Sequence, residues 1–213
     1  MRRKLLRYFS RAERLLWGLS VVFIVGSFCA FDRENYLTLA ASLIGVTSLI
    51  FNAKGNPMGQ VLMVLFSLLY GIISYAFAYY GEMITYLGMA LPMAVWSAIT
   101  WLRHPAESGD AVAIQKLNLR QFAGLLASCV VVTVLFYRIL AALDTPNLAF
   151  STLSVITSFL AAALTMLRSS YYALGYAAND VVLIVLWLLA SLTNSEYLPV
   201  AVNFIIFFFN DLY

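Results

Sequence analysis

Eight apolar stretches, each about as long as a bilayer crossing, follow one another with little chain between them: 15–31, 37–53, 58–80, 83–102, 121–143, 148–167, 171–192 and 197–213. A hydrocarbon core offers no water to backbone N–H and C=O groups. Runs of roughly 17–25 apolar residues therefore cross it as helices whose hydrogen bonds close within the segment. The breaks are short and polar: Asp32-Arg33-Glu34-Asn35, Lys54-Gly55-Asn56-Pro57, Gly81-Glu82, Asp144-Thr145-Pro146-Asn147, Arg168-Ser169-Ser170 and Thr193-Asn194-Ser195-Glu196. Gly and Pro punctuate several of them, as tight turns require. Only 11% of the residues are charged, against about 25% in a soluble domain. Such a chain cannot clothe a water-facing surface, and its fold class is an all-α polytopic membrane protein.

The charges set the expected orientation. Six of the thirteen basic residues fall in the first fourteen positions: Arg2, Arg3, Lys4, Arg7, Arg11 and Arg14. A secretory leader begins in a similar way, but no small-residue cleavage site follows Phe31, and a cytoplasmic flank fits better. With the amino terminus inside, alternate segments collect Lys54, Arg103, Lys116, Arg120 and Arg168 in the cytoplasm. The opposite segments hold Asp32, Glu34, Glu82, Asp144 and Glu196, with Arg33 as their one cation. This separation predicts eight spans with both termini cytoplasmic, in a bacterial inner membrane. The eighth stretch stops at Tyr213 without a basic flank, so the natural chain either ends there or runs on.

An internal likeness suggests organisation. Val46-Thr47-Ser48-Leu49-Ile50 resembles Ile156-Thr157-Ser158-Phe159-Leu160, and each opens a possible three-helix set. One single span, 121–143, separates the sets, so both begin on the same side and form parallel repeats. The expected units are residues 1–36 (basic flank and an extra helix), 37–102 (first bundle), 103–146 (cytoplasmic loop and linking helix) and 147–213 (second bundle). Transporters built from such repeats hold solute near the midplane between the halves.

The polar residues inside the spans are few. Asp180 sits near the middle of 171–192 with Asn179 beside it. An acid at that depth costs ~2.5–3.5 kcal/mol on insertion scales and usually faces a bundle interior or a wet cavity. The second bundle also offers Trp187, Asn203, Asn210, Asp211 and Tyr213; the first offers Gln60, Ser67, Tyr70, Ser74, Tyr86, Trp96 and Trp101. Asn203 and Asn210 are seven apart and share a helix face. Two amides near Phe207, Phe208 and Phe209 suit a flat, hydrogen-bonding solute. The same amides also serve as helix glue, at about 0.6 kcal/mol per bond on average. Ser67, Gly71 and Ser74 form a small-residue stripe for close packing, and Trp17 and Trp101 fit interfacial belts. Pro92 stands mid-span, where it kinks a helix. Asp180 has Arg138 as its one candidate basic partner within a span.

Other chemistries lack their residues. The single histidine, His104, lies in a loop and leaves no buried Ser–His pair. Gly-x-Ser-x-Gly and phosphate-binding loops are missing. Cys29 and Cys129 lie in apolar stretches without disulfide or zinc spacing. No catalytic residue, metal, cofactor or nucleic-acid partner is expected.

Three stretches resemble the PnuC family of bacterial vitamin transporters. They are Gly175-Tyr176-Ala177-Ala178-Asn179-Asp180-Val181-Val182-Leu183 with Trp187 following, Glu196-Tyr197-Leu198-Pro199-Val200, and Asn203 to Tyr213. The last ends in Asn210-Asp211-Leu212-Tyr213, like the start of the family's Asn-x-x-Tyr-Gly segment, which normally runs on to a tryptophan. The resemblance covers about residues 37–213. It implies a SWEET-like fold of two three-helix bundles with a linking helix, members that form trimers, and facilitated diffusion of an unphosphorylated vitamin trapped by a cytoplasmic kinase. Nicotinamide riboside leads the implied substrates, with thiamine and deoxynucleosides as alternatives. Carried onto this chain, the matching polar positions are Asn179, Asn203, Asn210 and Tyr213, with Trp187 beside them; Asp180 is a further candidate, read from its depth in the span. The first half departs near Pro92 and Met93, where some relatives have Asn; Gln60, Tyr86 and Trp96 are the candidates to fill that role. The rival outside this class is a membrane interaction protein with a dry core.

Overall fold

The computed structural model describes residues 8–31, 33–107 and 109–213. Arg2, Arg3, Lys4 and Arg7 of the basic cluster lie outside the described residues, as does Asp32. Eight long helices run through the rest: α1 (Arg11–Phe31), α2 (Tyr36–Ala53), α3 (Pro57–Ala76), α4 (Tyr80–Arg103), α5 (Leu119–Ala142), α6 (Leu148–Met166), α7 (Tyr172–Ser191) and α8 (Leu198–Leu212). The first seven are long and apolar enough to cross a membrane. Helix α8 has 15 residues, a little under the roughly 17 needed for a full crossing.

The polar breaks act as caps, satisfying the N–H groups that a helix start leaves open. Asn35 Oδ1 accepts from Thr38 N at 3.1 Å, and Asn56 Oδ1 from Met58 N at 2.9 Å. Asn118 and Gln121 form a reciprocal capping box at the start of α5. Gly55 adopts φ +66°, a left-handed conformation suited to glycine, and closes the α2–α3 turn. The long connection crosses the basic end as a strap. Val112 N donates to Gly55 O at 2.8 Å, and Arg168 donates to Ala113 O and to Gln115 Oε1.

Six helices close a ring. Helix α2 packs on α3, α3 on α4, α4 on α6, α6 on α7, α7 on α8, and α8 returns to α2. Neighbour relations in the first set, α2–α4, recur in the second, α6–α8. Two helices lie outside: α1 packs on α2 and α8, and α5 packs on α6 and the start of α4. The two outer helices thus sit in matching places around the ring. Helix α5 is the more exposed, with only Leu125, Phe136 and Leu140 buried.

Glycines let the ring close tightly. A Cβ on Gly175 would stand 2.9 Å from Cα of Ala161, at the α6–α7 crossing. Because that neighbour is backbone, Gly175→Ala should destabilise the fold by about 1–3 kcal/mol, read as a lower unfolding temperature in detergent. A Cβ on Gly71 would stand 2.5 Å from Leu87 of α4, so the Ser67–Gly71–Ser74 stripe does pack helices. Ahead of Pro92, which lacks an N–H, α4 runs as a π-helix over Thr85–Ala90.

Glu82 and Trp101 lie elsewhere than the sequence suggests. Glu82 is not in an external turn; it is 1% exposed within α4, against α6. The turn comes earlier, at 77–79, because α3 ends at Ala76. Trp101 is fully buried rather than interfacial, and its Nε1 donates to Thr165 O of α6 at 3.0 Å. Trp17 does lie at the surface, donating to Thr47 Oγ1 at 3.2 Å.

Candidate functional site

All six ring helices contribute to one central cavity of about 40 Å³. Helices α2 and α3 supply Leu49, Met63, Phe66 and Ser67, and α4 supplies Tyr86 and Ala90. From the other half come Ser158 and Ala162 of α6, Tyr176, Asn179 and Asp180 of α7, and Phe204, Phe207 and Asp211 of α8. Its walls are aromatic and aliphatic, with a handful of polar groups, the usual make-up of a small-molecule site. Its volume suits a few waters, at about 10–15 Å³ each.

Burial fixes the polar groups. The Asn179 amide oxygen accepts from Thr157 Oγ1 at 2.8 Å and Ser158 Oγ at 2.9 Å, which ties α7 to α6. The carboxyls of Asp180 and Asp211 meet side chain to side chain, α7 to α8. Asp180 Oδ2 has no hydrogen-bond partner, nor does Ser67 Oγ across the cavity wall. Arg138 is exposed on α5 and does not pair with Asp180. Tyr86 is held by Tyr70, centroids 4.3 Å apart, and by Phe66 at 6.1 Å.

Wider spaces lie toward both ends. At the basic end, Asn52, Ser170, Tyr172, Asn210 and Tyr213 line a recess of about 190 Å³ that shares Leu49 and Asp211 with the central cavity. At the acidic end, Tyr79, Asn147, Thr193 and Tyr197 line a recess of about 450 Å³. An aromatic cluster stands beneath it. The Trp187 ring lies 4.9 Å from Tyr79, 5.9 Å from Tyr197 and 6.2 Å from Tyr70. Among the described residues, three hydrogen bonds also join the halves: Ser154 Oγ to Glu82 Oε1 at 2.9 Å, Trp101 Nε1 to Thr165 O at 3.0 Å, and the Tyr172 hydroxyl to Asn52 O at 2.6 Å.

The nine residues named from sequence divide accordingly. Asn179, Asp180 and Tyr86 line the cavity. Trp187 is fully buried in the aromatic cluster at the acidic end. Asn203, 3% exposed with Oδ1 unpartnered, borders a separate space of about 10 Å³ with Thr38, Ser42 and Tyr70. Asn210 borders the basic-end recess, and its Nδ2 donates to Ser20 Oγ of α1 at 3.0 Å. Tyr213, 58% exposed, borders the same recess. Gln60 is buried outside the cavity and donates to Asn52 Oδ1 at 2.9 Å. Trp96 is 61% exposed on the outer surface. It stands two residues from buried Ala94 and Ala98, on the opposite helix face. Asp211 completes the site; it was visible as an intramembrane acid, but nothing in the sequence paired it with Asp180.

A ring of membrane-crossing helices around a cavity lined from both sets is a geometry that solute transporters use. The sequence profile of the nicotinamide mononucleotide transporter family matches residues 35–213, and the chain belongs to that family. It is 26% identical over 204 residues to the nicotinamide riboside transporter PnuC of Neisseria mucosa, covering 93% of this chain and 77% of that one. Its fold is that of the crystal structure of the vitamin B3 transporter PnuC, with a TM-score of 0.82 at 23% identity over 96% of this chain and 88% of that one. The PnuC resemblance read from the Asn179, Pro199 and Asn210 segments is borne out.

Proposed function

We propose that this chain carries nicotinamide riboside, or a vitamin nucleoside closely like it, across a bacterial inner membrane, down the solute's own gradient. The observation that carries the reading is the central cavity, lined by both halves and furnished with an amide, two carboxyls and phenols on aromatic walls. Asn179 offers its amide to the ribose or carboxamide, and Tyr86 with the Phe66, Phe204 and Phe207 rings packs the base. Trp187 caps the acidic end. Asn203, Asn210 and Tyr213 act along the route rather than at the central seat.

The lining also bears on phosphorylation. The family's description speaks of a mononucleotide and the Neisseria relative's name of a riboside. No Lys, Arg or His lines the cavity among the described residues, and two acids do. A phosphate seated there would be buried with no counter-charge, so the lining supports an unphosphorylated solute. No chemical step is proposed for the chain.

At about 40 Å³ the cavity is far smaller than the ~300–1,000 Å³ of a typical ligand pocket. Seating a nucleoside requires the halves to part, first at one end and then at the other. The aromatic cluster and the Glu82–Ser154 bond close the acidic end, and Tyr172–Asn52 with Trp101–Thr165 close the basic end. By the positive-inside rule the basic end, with Lys54, Arg103, Lys116 and Arg168, faces the cytoplasm, and both termini with it. Trapping by a cytoplasmic kinase and assembly into trimers come to this chain through the family resemblance alone.

The test is uptake of labelled nicotinamide riboside into vesicles carrying the purified protein, with thiamine and deoxynucleosides as competitors. The reading expects saturable uptake that both competitors inhibit poorly. Uptake no greater than in empty vesicles would contradict it. Asn179→Ala should cut apparent affinity about tenfold, equivalent to about 1.4 kcal/mol, with the folded fraction retained on size exclusion. Loss of the folded protein would instead assign Asn179 to holding α6 and α7 together.

A further inference from the structure

Asp180 and Asp211 have no basic residue beside them among the described residues. Asp180 is 3% exposed, Asp211 lies beside it, and their carboxyls meet within the cavity wall. Charged side chains at this depth ordinarily find an opposite partner. Among the described residues no Lys, Arg or His lines the central cavity or the basic-end recess. The ion pair between Lys54 and Glu13 belongs to the α1–α2 side of the ring. The ionisable groups that share the cavity with the pair are phenols: Tyr176 from α7 and Tyr86 from α4. Leu49 from α2, Ser67 from α3 and Ser158 from α6 complete its surroundings, all uncharged.

Two further observations point to a ligand. Asp180 borders the cavity, and its buried Oδ2 receives no hydrogen bond from any hydroxyl, amide or basic group among the described residues. Independently, Ser67 Oγ of the other half is fully buried on the same cavity and is also unpartnered. Around them stand the rings of Phe66, Tyr86, Phe204 and Phe207. Aromatic faces attract cations through the ring quadrupole. Carboxyls without a base, walled by aromatic rings, complement a flat ring that carries positive charge.

We propose that Asp180 and Asp211 form a cation seat that makes this transporter prefer a positively charged nucleoside base over a neutral base of the same size. The inference rests on the transport reading above and assigns it a charge filter. Asp211 also borders the recess at the basic end, so the same carboxyl meets the cation at the seat and on its way out.

The experiment uses the full chain in liposomes with two labelled probes: nicotinamide riboside, whose pyridinium ring is cationic, and its neutral 1,4-dihydro form. The wild type should show at least about tenfold better apparent affinity for the cationic form. Asp180→Asn and Asp211→Asn should each bring the ratio of the two apparent affinities to within about twofold of one, whatever the absolute uptake, with size exclusion showing that the variants are folded. Equal affinities in the wild type, or a preference that survives both substitutions, would overturn the seat and leave the transport reading standing. Should a variant take up neither form, the wild-type ratio decides alone. Uptake of neither form by the wild type overturns the transport reading and the seat with it.

Discussion

Phenylalanine in place of Ala162 is expected to cut solute uptake about a hundredfold, equivalent to about 2.8 kcal/mol at about 1.4 kcal/mol per decade. Ala162 of α6 is 7% exposed and lines the central cavity beside Ser158. That cavity has only about 40 Å³ to spare. A benzyl side chain fills it from the second half and occupies the space a nucleoside base would take. Overpacking also strains the bundle, typically by 1–3 kcal/mol, so thermal stability in detergent must be measured alongside uptake. Trp96→Ala provides the contrast. That side chain is 61% exposed on the outer surface, and its loss should leave uptake unchanged. Equal loss in both variants would mean that a general loosening of the bundle, and not the cavity, governs uptake.

The second large effect concerns motion. Ser154 Oγ donates to Glu82 Oε1 at 2.9 Å, across the contact between α4 and α6. Glu82 Oε2 is buried without a partner among the described residues. Solute reaches the centre only if the halves part, and α4–α6 is one of the two contacts that close the ring. With Cys29 and Cys129 replaced by Ala, Glu82→Cys and Ser154→Cys joined by a short bis-methanethiosulfonate, which forms a disulfide with each thiol and releases sulfinate, should reduce uptake to the level of empty vesicles. Cleaving the bridge with a reductant should restore it to the level of the unbridged double variant. Uptake that continues with the bridge formed would show that the halves need not separate at this end.

Much of the fold was legible because bilayer thickness and backbone hydrogen bonding leave few choices. Eight apolar stretches became eight helices with ends shifted by a few residues, and the small-residue stripe at Gly71 packed as its spacing required. Asn179, Asp180 and Tyr86 reached the cavity because polar groups at that depth have few other places to go. Asn210 did not. Its partner, Ser20, is 190 positions away on α1, and no periodicity reveals which outer helix fills the groove beside α8. Glu82 was misplaced because a polar pair between apolar runs reads as a turn, whereas α3 stops at Ala76 and the chain turns before Tyr80. Trp96 was separable in principle. The buried face of α4 runs through Tyr86, Ala94, Ala98 and Trp101, and a tryptophan two residues from Ala94 falls on the far side. The pairing of Asp180 with Asp211 depends on how α7 and α8 are rotated against each other. Only the assembled ring fixes that.

The central claim is that solute passes through the space between the two helical halves. Ser67→Cys tests it most directly, since that side chain is fully buried, unpartnered and on the cavity wall. With the native cysteines replaced, a water-soluble methanethiosulfonate should react with the new thiol as the protein cycles and stop uptake, and nicotinamide riboside should slow the reaction. Uptake that persists with the thiol at position 67 fully modified would place the route elsewhere.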